Sequence, residues 1–500
     1  MNLYEFFENS YLKFGMKPYI VDKKIWTYKE TRELVEVAIE FLVDHNVKCD
    51  DKVVICLENS IKYIAMYFAI LYMGATVIPI PTTSTYENIK AIIEDSKPNL
   101  VIFSVESKSK LFNNEIMHKN LVDIFDVDKV CSSNKEKIPK MRTGKVAMII
   151  YTSGTTSYPK GVMLSHSNLI ANTESILDYL KLIQDNSVLA ILPFSYSYGN
   201  SILLTHTKVG ATLYLYKAIY PTNVLKMLLN NKITGISTVG SYLNILLKQD
   251  KTLMEAFKRI SYITLAGEKT SNMDLLELQR INEDLKIFVM YGQTEASARL
   301  TYLDPKLLRK KIGSVGKPVK NVEIKIIDEK GDEVLCNQIG EIKAKGPNIM
   351  LGYLNNITET QNVIKNQWLL TGDMGYKDEE GFIYITGRKK DIIKHLGYRI
   401  SPTEIESCIN SEEHILESAV TDIEIGNKSE IIGAVVPNSK ELNMQTVFKH
   451  MRRKLEIYKI PKYLFVVDKI PKTLNGKIKR KELKKIFLTV KKEDIYENNF

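Results

Sequence analysis

The feature that most constrains how this chain can fold is an alternation repeated through its first 300 or so residues. Short apolar runs rich in β-branched residues are separated by longer stretches with helical periodicity. Strands are expected at residues 53–57, 100–104, 147–152, 189–192, 212–216, 262–265 and 287–290. Helices are expected among them at residues 31–45, 60–73, 86–95, 167–180, 223–230 and 241–248. Parallel strands need long crossovers, and helices serve as those crossovers. The alternation therefore points to an α/β protein with largely parallel sheets.

The texture changes near residue 315. Shorter strands at 322–327, 340–345 and 382–385 are separated by Gly/Asp turns such as DEKGD and DEEG, the pattern of a β-rich piece with hairpins. After GRKKD (387–391) come a helix at 401–410, strands at 418–422 and 430–436, and a helix at 444–455. A boundary near Lys390 is expected. It separates a core of residues 1–389, with a β-rich subdomain from about 315 to 389, from a small domain of residues 390–500. Residues 131–145 are polar and read as a surface linker. The lysine-rich tail after Arg480 reads as a helix followed by a frayed end.

A run without charge, residues 63–81, raises the question of a membrane span. Gly74, Pro79 and Pro81 limit its helix to residues 60–73. That is about 20 Å at 1.5 Å per residue, short of the roughly 30 Å of a bilayer core. A buried helix followed by a strand at 76–80 fits better. The N-terminal segment lacks a signal-peptide pattern, and the five cysteines are scattered without CxxC spacing. A cytoplasmic protein without a zinc site or disulfide framework is expected. The net charge of +10 suits an anionic ligand. Its lysines and arginines are dispersed and form no recognition helix, so no nucleic-acid partner is expected.

Three distant segments make chemical sense together: TSGTTSYPKG (152–161), YGQTE (291–295) and PKTLNGK (471–477). The first follows a buried strand and offers backbone N–H groups, hydroxyls and Lys160 to one anion. It does not fit the GxxxxGK[ST] phosphate loop. The second sets a ring, a hydroxyl and a carboxylate at a strand's C-terminal edge, where ligand sites of α/β proteins gather. The third places Lys477 on a Pro/Asn/Gly turn. An ammonium there suits a phosphate, and the carboxylate suits Mg²⁺.

These segments resemble the adenylate-forming superfamily of acyl-CoA synthetases, peptide-synthetase adenylation domains and luciferase-like ligases. WLLTGDMG and YITGRKKDIIKHLGYRISPTEIE extend the match, which runs from IWTYKE (25–30) to Arg480. The resemblance implies a large N-terminal domain of two α/β layers plus a small β-barrel, and a small mobile α+β C-terminal domain. It assigns nucleotide contacts to Thr152, Ser153, Gly154, Thr155, Thr156, Lys160, Gly267, Glu268, Tyr291, Gly292, Asp373 and Arg388. Ser157 stands where the family usually has glycine. By the same resemblance Tyr291 stacks on adenine, Thr294 meets the α-phosphate, Glu295 holds Mg²⁺, and Asp373 and Arg388 contact the ribose. Lys477 is the catalytic lysine and Lys390 the hinge. Lys394 and Gly397 belong to the face used for thioester formation. Tyr196 and Gly199, in LPFSYSYGNS (192–201), line the substrate pocket together with Gly267, and Tyr196 falls at the carboxylate channel.

The implied enzyme uses ATP and Mg²⁺ to turn a carboxylic acid, fatty or aryl, into an acyl-adenylate. It then passes the acyl group to the thiol of CoA or of an acidic carrier protein. Amino-acid-activating relatives carry an aspartate after the phenylalanine of an FDxS-like segment. Here Ser195 follows Phe194, and no acidic residue lies between Leu192 and Lys208. An amino-acid adenylating enzyme is thus the alternative. A non-catalytic adenylate-binding scaffold is a further one, against which Lys477, Glu295 and Asp373 argue.

Overall fold

The computed structural model describes residues 2–104, 121–123, 138–152, 159–217, 220–395, 398–425, 428–438, 442–472 and 478–498. The chain divides into two compact units. One is Met1–Ile324 with Ala344–Leu369, and the other is Lys325–Lys343 with Leu370–Phe500.

The first unit contains two large sheets. In the nine-stranded sheet, Lys286–Tyr291, Tyr262–Leu265, Gly235–Thr238, Ser187–Ala190, Thr212–Leu215 and Pro18–Val21 lie side by side and parallel. Short antiparallel strands close its two edges. The seven-stranded sheet has a parallel centre of Thr76–Pro79, Lys52–Cys56 and Leu100–Phe103. Its strands are apolar throughout rather than alternating, because helices bury both faces. The expected strands stand within two residues of their predicted positions. The largest shift is 189–192, which forms as Ser187–Ala190.

Helix starts follow the sequence's capping residues. Thr27, Ser60, Thr85 and Ser165 each accept a hydrogen bond from the N3 backbone N–H, and Thr27 and Ser165 form complete capping boxes. Such a cap is worth about 1 kcal/mol. The helix Ile61–Met73 is buried nearly all round and is closed by Gly74, and the strand Thr76–Pro79 follows. Among the described residues no helix is long and apolar enough to cross a membrane.

The second unit carries the antiparallel pairing of residues 373–377 with the strand Ile383–Arg388. It also has a four-stranded sheet ordered Ile415–Ile425, Lys428–Pro437, Tyr463–Val466 and Ile495–Glu497. One face of that sheet packs on the helices Pro402–Ile409 and Met444–Lys454. Met444, Val447, Phe448 and Met451 form the apolar stripe at helical spacing. The other face packs on the helix Arg480–Thr489 through Leu483. The expected frayed end is not what forms. Residues Ile495–Glu497 pair antiparallel with Tyr463–Val466, covering an edge strand that would otherwise expose unpaired backbone groups. Residues 131–137 of the polar stretch 131–145 lie outside the described residues.

Candidate active site

In the first unit, Met148–Thr152 turns back as the antiparallel strand Lys160–Leu164, with Thr152 opposite Lys160 and Tyr151 opposite Gly161. Thr152 and Lys160, the first and last polar residues of the hydroxyl-rich segment, are therefore held opposite one another. Ser153, Gly154, Thr155, Thr156 and Ser157 lie outside the described residues. Next to Thr152, the Tyr151 hydroxyl donates to Asp95 Oδ2 at 2.6 Å. A cavity of about 230 Å³ beside the hairpin base is lined by Asp95, Pro159, Lys160 and Asn355.

Lys160 pairs with Glu359, and its ammonium lies 5.4 Å from the centre of the Tyr353 ring. The hydrogen bond from Lys160 holds the Glu359 carboxyl below the usual range. Glu359's side chain is 37% exposed, so this pair is worth less than about 1 kcal/mol, and Lys160 can leave it for a phosphate.

The strand Lys286–Tyr291 delivers YGQTE to the C-terminal edge of the parallel sheet. Tyr291 and Gly292 are half-buried there. A Cβ on Gly292 would come within 2.0 Å of the Ala298 carbonyl oxygen, so only glycine permits this tight turn. Thr294 opens a short 3₁₀ turn, and its hydroxyl lies 3.2 Å from that of Ser197. Glu295 is anchored at two points. Its carbonyl accepts from Met350 N at 2.9 Å, and its Oε1 accepts from the Tyr353 hydroxyl at 2.9 Å.

Glu295 makes no ion pair among the described residues, so its carboxylate keeps capacity for a cation. Mg²⁺ is usually held by one or two carboxylates plus substrate phosphates, and a lone half-buried carboxylate fits that mode. Among the described residues no group of three or more His, Cys, Asp or Glu gathers as a dedicated metal cage.

Tyr196 precedes the helix Ser197–Val209 without a side-chain cap hydrogen bond, and Gly199 is buried in the helix's first turn. Burial pushes the Tyr196 hydroxyl up to about 12, so it stays protonated and able to donate. Gly267 follows the strand Tyr262–Leu265 with φ +93°, a backbone that non-glycine residues avoid. The next residue, Glu268, accepts from the Ser241 N–H at the start of the helix Gly240–Leu247. It thereby ties the turn to that helix.

In the second unit, Asp373 and Arg388 face one another across the strand pair. Arg388 Nε lies 2.8 Å from Asp373 Oδ1, and Arg388 Nη1 donates to the Thr371 carbonyl at 3.3 Å. Asp373 is 4% exposed. Lys390 sits in the single 3₁₀ turn Lys389–Asp391. Lys394 lies in the strand Ile393–His395, opposite Arg399.

Lys477 and Gly397 lie outside the described residues. The segment that carries Lys477 is pinned at its base by the Lys472–Ile478 bridge and by Lys479 N donating to Pro471 O at 2.8 Å. Arg480 anchors that base by a two-point grip on Glu406 and by donating to the Val420 carbonyl.

Three participants were not singled out from the sequence. Tyr353 and Glu359 come from a distant strand–helix segment, and Arg299 follows YGQTE by four residues. Only the antiparallel pairing of Gly352–Tyr353 with Lys160–Leu164 brings Tyr353 to Lys160, and no local pattern announces it.

Lys160 on its strand pair with Thr152, linked through Tyr353 to the strand-edge carboxylate Glu295, has the residue types of a nucleotide site in an α/β protein. The family model described as AMP-binding enzyme matches residues 7–354, and that of the AMP-binding enzyme C-terminal domain matches 404–477. The chain is 29% identical over 471 residues to the 2-succinylbenzoate–CoA ligase of Bacillus subtilis (strain 168), covering 93% of this chain and 94% of that one. It is 30% identical over 465 residues to 4-coumarate–CoA ligase-like 6 of Arabidopsis thaliana, covering 88% and 82%. The fold matches O-succinylbenzoate coenzyme A synthetase of Bacillus subtilis, solved with ATP and magnesium ion, at a TM-score of 0.85. Sequence identity there is 26%, over 96% of this chain and 99% of that one. The chain belongs to the AMP-binding enzyme family. It is an AMP-forming acid–thiol ligase by that family membership, and its relatives are named as CoA ligases.

Proposed function

We propose that this ligase activates an aryl or fatty acid and passes it to CoA, with aryl acids favoured by the names of its relatives. In the first half-reaction a carboxylate oxygen attacks the α-phosphorus of ATP. The bond to the bridging oxygen breaks, and pyrophosphate leaves. The hairpin from Thr152 to Lys160 holds the β- and γ-phosphates, Tyr291 stacks on the adenine, and Thr294 donates to the α-phosphate. Glu295 would hold Mg²⁺, which supplies charge neutralisation to the phosphates when bound. Asp373 and Arg388 take the ribose, and Lys477 offsets the charge gathering between carboxylate and phosphate.

In the second half-reaction, rotation at Lys390 exchanges Lys477 for the face bearing Lys394. The CoA thiol loses its proton and attacks the acyl carbonyl. AMP leaves, and the thioester is formed. CoA is preferred to a carrier protein as acceptor because both relatives named above are CoA ligases.

The half-buried Glu295 carboxylate, held by Tyr353 and free of ion pairs among the described residues, carries this reading. The test is pyrophosphate release with ATP and Mg²⁺ across fatty, aryl and amino acids, with Lys477→Ala as control. Release with aryl or fatty acids, lost in the variant, is expected. Release with amino acids alone would move the enzyme to the other adenylating class. Release unaffected by Lys477→Ala would remove the lysine from the chemistry.

A further inference from the structure

Arg299 is 3% exposed. Guanidinium does not give up its proton in proteins, so a charge is buried here. Among the described residues no carboxylate pairs with it. Its Nε faces Met290 Sδ at 3.2 Å, its Nη1 donates to the neighbouring Ala298 carbonyl at 3.2 Å, and its carbon lies 4.1 Å from the centre of the Tyr198 ring. The Tyr179 hydroxyl borders it as well. A thioether, a neighbouring carbonyl and an aromatic face do not replace the counter-ion that a buried guanidinium normally has.

The backbone around Arg299 is strained and held. Ala298 has φ +122°, a conformation that side-chain-bearing residues avoid. Asn348 Nδ2 donates to the carbonyls of Ala296 and Arg299, at 3.1 and 2.8 Å, and Asn172 Nδ2 donates to that of Arg299 at 3.1 Å. Strain kept in place by surrounding hydrogen bonds is a mark of functional sites. The location is also specific. Tyr198 lies between Ser197, whose hydroxyl meets that of Thr294, and the buried Gly199. The Tyr198 hydroxyl meets that of Thr264, near the C-terminal end of the neighbouring strand. Arg299 thus stands behind the segment assigned to the carboxylate channel.

Building on the adenylation reading, we propose that Arg299 is the counter-ion for a second anionic group on the acid substrate. That group sits at the end remote from the carboxylate that attacks ATP, so the enzyme selects acids carrying two negative charges. One charge-assisted hydrogen bond supports a preference of about 10- to 150-fold.

The experiment compares kcat/KM for pyrophosphate release within matched pairs, hexanoate against adipate and 3-phenylpropionate against its ring-carboxylated counterpart. It uses the full chain as wild type, Arg299→Met and Arg299→Lys, each checked by thermal melting. The expected result is a wild-type preference for the dianionic member of at least one pair. In Arg299→Met that ratio collapses toward one, and in Arg299→Lys it is partly restored. A wild-type ratio at or below one in both pairs overturns the proposal, even if the methionine variant fails to fold. A folded Arg299→Met that slows both members equally also overturns it and leaves Arg299 a packing residue. Release from monoanionic acids alone overturns this inference and leaves adenylation standing. Release from no acid of any kind overturns both.

Discussion

The Tyr353 hydroxyl donates to Glu295 Oε1 at 2.9 Å across 58 residues of sequence, and the same tyrosine ring lies 5.4 Å from the Lys160 ammonium. One buried side chain therefore orients the carboxylate assigned to Mg²⁺ and lies beside the lysine assigned to the phosphates.

Removing that hydroxyl leaves the ring and frees the carboxylate. Tyr353→Phe is expected to lower kcat/KM for pyrophosphate release about tenfold, in line with the loss of one hydrogen bond to a charged group. The Mg²⁺ concentration for half-maximal rate should rise as well. A titration with unchanged Mg²⁺ dependence would show that Tyr353 does not orient the metal ligand.

Asp373, assigned to the ribose, is also bonded to Arg388 at 2.8 Å. Asp373→Asn should abolish discrimination between ATP and 2′-deoxy-ATP in steady-state assays. It should also cost roughly 2 kcal/mol of stability by urea unfolding. That is below the 3–5 kcal/mol for a fully buried pair, because the Arg388 side chain is 35% exposed. Discrimination that survives the substitution would assign the ribose to other groups.

Lys477→Ala should reduce pyrophosphate release by about 10²-fold or more, the scale of losing one transition-state charge partner. Thioester formation from a preformed acyl-adenylate should stay within a few-fold of wild type. Equal loss in both half-reactions would argue against separate catalytic faces.

His206 supplies a pH prediction. Burial pushes its imidazole down to about 4, as it also does for His166. His206 Nδ1 faces the Ile202 carbonyl at 2.9 Å and so carries the proton. Nε2, 2.8 Å from the Tyr262 hydroxyl, accepts. Between about pH 6.5 and 4 the unfolded chain binds more protons than the folded one. Stability is therefore present in full above that window and is lost as pH falls through it, by up to about 1.4 kcal/mol per pH unit for each histidine. Denaturant melts from pH 7 to 4 should show this slope, and His206→Gln should flatten it. An unchanged slope in the variant would mean that His206 is protonated when folded.

Local signals carried the strands and helices of the first unit. Apolar runs such as KVVIC, LVIF and MIIYT have only one way to hide their backbone groups and side chains together, and Thr27, Ser60, Thr85 and Ser165 announce helix starts by their own side chains. The segment 152–161 and YGQTE could be singled out as candidates for the same reason, since the residue types that suit a nucleotide lie within a few consecutive positions. The helix Ser197–Val209 was not. Its first turn, SYGN, has no N-cap side chain and reads as a loop, yet it forms because its apolar residues pack in the core.

What the sequence by itself determined is the layered α/β architecture and the residue types of a nucleotide site. Tertiary structure alone decided which distant groups meet: Tyr353 with Glu295, Arg388 with Asp373, Arg480 with Glu406, and Arg299 with Tyr198 rather than an acid. Such contacts depend on strand order and register, which come from packing the whole core. No window of sequence short enough to read as a motif contains them.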